Sequence, residues 1–139
     1  MNFFKALVFA AALSGAIIVT APPPAMAQAS STLSGVWRGV YWGGDNQVTQ
    51  FQATLRQTGG ALSGSIVEDN NFSAEHIPFL LATISGSANG DTVSFTKTYD
   101  GTGGASHTVN YTGRILSNGR RIAGTWSIGA TSGQFELAR

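Results

Sequence analysis

The sequence predicts an all-β fold: an eight-stranded antiparallel up-and-down β-barrel after a cleaved N-terminal signal peptide. Three observations predict it. From Val93 to Ile128 apolar residues alternate with Thr, Ser, Asn and Arg at a period of two, which puts one set of side chains on each face of a sheet. Tight-turn dipeptides punctuate the alternation, Asn118-Gly119 and Asn89-Gly90 among them, because both residue types tolerate positive φ. After residue 27 no helical period occurs, and short turns join nearly every pair of strands, which is the pattern of a meander. Eight such strands close into a barrel wide enough for packed side chains or one small ligand, and closure removes unpaired edges.

Residues 1–27 read as a signal peptide. Lys5 supplies a positive start, 6–20 is an apolar run, and Ala25-Met26-Ala27 is a small-residue cleavage site. The run is shorter than the ~20 residues that span a bilayer, so no membrane span is expected after cleavage. The expected location is periplasmic or secreted. No cysteine is present, which excludes a lipid-attached cysteine and any disulfide. Lys5 is one of eight basic residues against seven acidic ones, so the remainder is neutral. A neutral chain offers no electrostatic case for nucleic acid.

Residues 28–33 form a small polar leader, expected to be flexible, and 34–139 form the barrel domain. The first strand covers 35–42, followed by the turn cluster Gly43-Gly44-Asp45-Asn46. The second covers 48–57, with Phe51, Ala53 and Leu55 on one face, and Thr58-Gly59-Gly60 turns the chain. The third covers 61–68, with Leu62, Gly64 and Ile66 on the apolar face. Residues 69–78 make the longest connection. The fourth strand covers 79–88, the fifth to seventh lie within 93–128, and the eighth covers 133–138.

Centred on Asn118-Gly119, the sixth and seventh strands pair Ile115 with Ile122, Gly113 with Gly124 and Tyr111 with Trp126. Centred on Thr102, the preceding hairpin pairs Lys97 with His107, Phe95 with Val109 and Val93 with Tyr111. Centred on Thr58-Gly59, Ala53 faces Gly64 and Phe51 faces Ile66. Centred on Asn89-Gly90, Ile84 faces Phe95 and Ala82 faces Lys97. Centred on Ala130-Thr131, Trp126 faces Phe135 and Gly124 faces Leu137. Each register keeps the apolar face continuous, as it must, since a one-residue slip reverses every side chain. Trp37, Phe51, Leu55, Leu62, Ile66, Ile84, Val93, Phe95, Val109, Tyr111, Ile115, Ile122, Trp126, Phe135 and Leu137 are then inward. Gly39, Gly64, Gly86, Gly113 and Gly124 share that face, either as bends or as room for a ligand.

Gly35-Val36-Trp37 resembles the G-x-W of the calycins, the group of barrels that includes lipocalins, fatty-acid-binding proteins and avidins. The resemblance implies that Arg139, at the end of the last strand, packs on the tryptophan by a cation–π contact of ~1 kcal/mol; the alternative is a frayed terminus. The order of Leu33-Ser34-Gly35-Val36-Trp37, Gly60-Ala61-Leu62-Ser63-Gly64, His107 to Gly113 and Ile122 to Trp126 is most similar to avidins. The biotin-binding positions differ. Gly39 stands where avidins carry Asn, Ile66 and Glu68 where they carry Tyr and Ser, and His107 and Val109 near their Ser and Thr. Only Trp126 matches an apolar wall. The resemblance therefore implies the architecture without biotin binding.

The strand directions gather the loops 43–47, 69–78, 100–106 and 129–132 at one open end. Glu68, Lys97 and His107 are expected to point inward at that mouth, with Phe72 and Tyr99 nearby. A Lys–His pair with a carboxylate would orient a ligand head, while Phe95, Tyr111 and Trp126 hold its apolar body. The alternative is a solvated rim or a structural ion pair. The polar loop 68–76 lies over the mouth as a lid, or Phe72 plugs it. Its carboxylates and His76 match no metal signature, so neither metal nor cofactor is expected. Ser106 and His107 are adjacent and so project to opposite faces, and no Ser–His–carboxylate order or carboxylate pair stands out. The sequence thus argues against an enzyme. It favours an exported barrel that binds a small, partly apolar ligand. The alternatives are a protein-interaction module, such as a secreted protease inhibitor acting through its leader or loops, and an envelope-associated structural barrel. In an outer-membrane barrel the apolar face would look outward to lipid.

Overall fold

The computed structural model describes Ala21, residues 32–43, Asp45 and residues 47–139. The predicted signal peptide (apart from Ala21), most of the leader, and Gly44 and Asn46 lie outside the described residues. Eight strands run β1 (Gly35–Gly43), β2 (Val48–Thr58), β3 (Ala61–Asp69), β4 (Phe79–Asn89), β5 (Thr92–Tyr99), β6 (Thr108–Leu116), β7 (Arg121–Ile128) and β8 (Thr131–Ala138). Each pairs antiparallel with its sequence neighbours, and β8 pairs with β1 to close the barrel. Among the described residues no helix is long and apolar enough to cross a membrane.

The large apolar stripe faces inward, as the period-two pattern requires. Trp37, Leu55, Leu62, Ile66, Val93, Phe95, Tyr111, Ile122, Phe135 and Leu137 are buried, while Ile115 and Trp126 are half-buried. The outer wall is mostly Thr, Ser and Gln, but Val67 and Leu81 pair across β3 and β4 and remain exposed beside Phe79.

Only the β6–β7 hairpin has the predicted register, with Tyr111 opposite Trp126 and Gly113 opposite Gly124. The other four predicted registers are each displaced by two residues. Ala53 faces Ile66 and Phe51 faces Glu68; Ile84 faces Lys97 and Ala82 faces Tyr99; Trp126 faces Gly133 and Gly124 faces Phe135. In those three hairpins a glycine with φ near +60° (Gly59, Gly90 or Gly129) takes the first of two turn positions, one residue off the predicted centre. A primed two-residue turn needs positive φ at that position. In the β5–β6 connection three positive-φ glycines and the short 3-10 turn Thr102–Gly104 move the centre to Gly103. Lys97 therefore faces Val109 and Phe95 faces Tyr111. A two-residue displacement preserves the face of every side chain, which is why the predicted core survives.

One end is sealed. Trp37 is fully buried and its indole Nε1 donates to Leu33 O at 2.8 Å. The Arg139 guanidinium lies 4.5 Å from the Trp37 ring and donates to Gly119 O and Ser34 O. Arg139 is exposed but held across the tryptophan by these contacts, and is not a frayed terminus. Leu33, which the sequence places in the leader, is only 1% exposed and belongs to the barrel. Its carbonyl is the indole's partner, so the packing starts one residue earlier than the pattern suggests.

The inward glycines are used for packing, not for ligand space. A Cβ on Gly39 would run into the Phe51 ring, and one on Gly86 or Gly124 into the carbonyl oxygen of Ser94 or Thr112 on the neighbouring strand. Backbone cannot yield as a flexible side chain can. Gly124→Ala is therefore expected to cost about 1–3 kcal/mol, read as a lower thermal midpoint by circular dichroism. An unchanged midpoint would mean that β6 and β7 approach less closely than here.

Candidate functional site at the open end

Below the mouth the barrel is filled. Phe95 and Tyr111 stack at 4.8 Å with planes 6° apart, and Phe135 meets both edge-on at 6.0 and 5.0 Å. The open space lies above this layer. A cavity of about 160 Å³ is lined by Tyr41, Phe72, Lys97, Tyr99, His107, Val109, Tyr111, Trp126 and Ile128. A second recess of about 370 Å³, toward Asp45, Gln47 and Asn71, shares Tyr41, Phe72 and Trp126 with it. A larger groove of about 610 Å³ runs over the outer wall past Arg38, Gln50, Val67 and Phe79. It contains no buried polar group, so the chemistry lies inside the barrel.

Glu68 near the end of β3 and Lys97 on β5 both point inward, and each is only 1% exposed. They meet across β4, whose inward residue there is the small Ala82. Lys97 Nζ donates to Glu68 Oε2 at 2.6 Å and to the Tyr99 hydroxyl oxygen at 2.7 Å. The hydroxyls of Tyr99 and Tyr41 both donate to Glu68 Oε1. The ammonium also lies 4.7, 4.5 and 5.6 Å from the ring centres of Tyr41, Tyr99 and Tyr111. Every buried side-chain polar atom among the described residues has a partner. Such a network is tolerated only when complete, because an unpaired buried charge is costly.

The electrostatics follow from burial. Burial pulls the Lys97 ammonium below the ordinary lysine range, while the Glu68 carboxylate pushes it back up. Burial, then the Glu68 charge, raises the Tyr41 phenol to about 12. The same two causes raise Tyr99 and Tyr111 further. All three phenols stay protonated across the physiological range.

The cavity wall brings together Phe72, Lys97, Tyr99, His107, Tyr111 and Trp126 of the predicted site. Glu68 stands behind Lys97 as its counter-charge. Phe95 lies one layer deeper, under Tyr111, and does not line the cavity. His107 does not pair with Lys97. It precedes β6, is exposed, and lays its ring 4.5 Å from that of Tyr99, because the two-residue displacement puts Val109 opposite Lys97. Phe72 is 49% exposed and packs edge-on against Tyr99 at 5.7 Å, so it walls the mouth without plugging it. Sequence reading placed Val109 inward but not at the site, and it missed Tyr41 and Ile128 altogether as lining residues. The inward phase of β1 and β7 could have found both. It also missed Gly133, which leaves room for the Trp126 indole, whose Nε1 donates to Trp42 O at 3.0 Å.

The loop above the mouth is braced. The Asn70 side chain donates to Glu75 O and Ile77 O and accepts from Ser73 N, and Ser73 Oγ donates to Gly103 O. Asn71 reaches Thr49 Oγ1 at 3.2 Å. Among the described residues no cluster of three or more His, Asp or Glu is placed to hold a metal.

No protein-family model matches this chain, and no curated protein matches it in sequence. Solved structures do match in shape. A redesigned β-barrel, mFAP1, bound to DFHBI, is 14% identical with a TM-score of 0.62, over 77% of this chain and 94% of that one. Another redesigned β-barrel is 18% identical at TM-score 0.64, over 82% and 96%. A de novo designed fluorescence-activating β-barrel is 10% identical at 0.63, over 82% and 99%. This chain shares their closed barrel fold. At such identities the likeness extends to architecture alone.

Proposed function

We propose that this protein is an exported, calycin-type barrel that binds a small, partly apolar ligand in the cavity at its open end, as a binding protein and not an enzyme. The observation that carries this reading is the aromatic cavity of about 160 Å³ with the buried Lys97 in its wall. An apolar recess with few convergent polar groups is the usual form of a ligand site. Barrels of this shape have been solved with the small molecule DFHBI bound, which supports a barrel of this size as a binder of small molecules. Export rests on the signal-peptide pattern of residues 1–27. The motif order similar to avidins supports the architecture, while Gly39, Ile66 and Glu68 argue against biotin as the ligand.

The test fills the cavity without disturbing the layer beneath. Ile128 is half-buried and lines the cavity, so Ile128→Trp should occupy it. The purified protein is expected to take up a fluorescent apolar probe, and Ile128→Trp to lose that uptake at least ~10-fold with thermal midpoint retained, since ~1.4 kcal/mol of lost contact is tenfold in affinity. Equal uptake by both proteins would place binding elsewhere and defeat the reading.

A further inference from the structure

Building on that reading, we propose that the ligand is an uncharged single-ring aromatic compound bearing one hydrogen-bond-accepting oxygen, with its ring between the aromatic walls and its oxygen on Lys97 Nζ. Size limits the ring count. A cavity near 150 Å³ accepts a benzene-sized molecule, and about 160 Å³ is present. A fused bicycle or a long acyl chain would run out of this space toward the recess at Asp45, Gln47 and Asn71, away from Lys97.

The walls select a flat ligand. Six rings (those of Tyr41, Phe72, Tyr99, His107, Tyr111 and Trp126) line the space, and rings gain from offset or edge contacts beyond their buried area. The polar partner is set by what remains unused. An ammonium has three N–H donors, and Lys97 directs two of them, to Glu68 and to Tyr99. Its third has no hydrogen-bond acceptor among the described residues, and Lys97 lines the cavity. Glu68 already accepts from Lys97, Tyr99 and Tyr41. The site therefore has a donor to offer and needs an acceptor.

Charge excludes the other classes. Rings around a cavity can hold a ligand cation, but here an internal cation already occupies the faces of Tyr41, Tyr99 and Tyr111. A second would be repelled at close range. The Glu68–Lys97 pair is neutral as a whole, so a buried anion would bring an uncompensated charge into an apolar recess.

Four probes test this by titration calorimetry on the purified protein: acetophenone, ethylbenzene (ring without oxygen), cyclohexyl methyl ketone (oxygen without aromatic ring) and benzyltrimethylammonium (ring with a cation). Acetophenone is expected to bind at least ~10-fold tighter than each of the others. The variant Lys97→Met with Glu68→Gln keeps the recess without either charge and leaves an oxygen to accept from the Tyr41 and Tyr99 hydroxyls. It should bind acetophenone and ethylbenzene within ~3-fold of each other. Equal binding of acetophenone and ethylbenzene by the native protein, or tighter binding of the ketone or the cation, would overturn the proposal while leaving a ligand site at the mouth. If none of the four binds and the fluorescent probe is still taken up, the proposal alone falls. If the probe also fails to bind, the ligand-binding reading falls with it.

Discussion

Lys97→Met is expected to destabilise the barrel by about 3–5 kcal/mol, because it strands the Glu68 carboxylate in a site that water does not reach. The partner oxygens make the case. Glu68 keeps the Tyr41 and Tyr99 hydroxyls but loses the ammonium at 2.6 Å. Tyr99 loses a donor as well. In a domain of this size the loss should lower the thermal midpoint by more than about 10 °C. The double variant Glu68→Gln with Lys97→Met removes both charges, keeps an oxygen to accept from the Tyr41 and Tyr99 hydroxyls, and should lie within about 2 kcal/mol of the parent, since a neutral pair can replace a buried ion pair at little cost. Urea unfolding of the parent, Lys97→Met, Glu68→Gln and the double variant gives the coupling directly. A single-variant cost under about 1 kcal/mol, the range of exposed pairs, would show that water reaches Glu68, and the proposed cavity wall would be wrong.

The second large effect lies at high pH. All three tyrosines of the chain surround this pair. Burial and the Glu68 charge raise each phenol, Tyr41 to about 12 and the other two further. The folded protein then keeps protons that the unfolded chain gives up from pH ~10 upward. Stability is fully present below that pH and falls above it, by up to ~1.4 kcal/mol per tyrosine per pH unit. Lys97 acts in the opposite sense. Burial lowers its folded value, so its contribution grows with pH until the unfolded lysine near ~10.4 also loses its proton. The expected curve is flat or slightly rising toward pH ~10 and steeply falling beyond. Near-ultraviolet absorbance should show phenolate appearing only together with loss of the barrel signal in circular dichroism. Phenolate forming near pH ~10, the ordinary tyrosine value, in protein that is still folded would contradict the buried network.

Much of this was legible in local pattern. Alternation at period two identified the inward face of all eight strands, and the core residues from Trp37 to Leu137 lie where it puts them. Glu68 and Lys97 were legible as inward polar groups for the same reason, with Tyr99 expected near them. His107 was misplaced because its position depended on where the β5–β6 turn is centred. Three glycines close together in that connection (Gly101, Gly103 and Gly104, all at positive φ) leave several centres open to a reader of sequence. The sequence left the inward glycines open between bends and room for a ligand. Whether a missing side chain leaves a void or admits a neighbour depends on what stands opposite, and opposite Gly124 stands backbone.

The chain itself dictates which face each side chain takes, because that follows from strand geometry within a few residues. The tertiary structure alone decides which side chains meet. Strand order, two-residue register and barrel closure bring Glu68 of β3 over β4 to Lys97 of β5, set Tyr41 of β1 beside them, and leave His107 at the cavity rim against Tyr99 and not on Lys97. Those contacts are sums over turns and pairings far apart in sequence, and a displacement of two residues changes every partner while leaving the apolar stripe as it was.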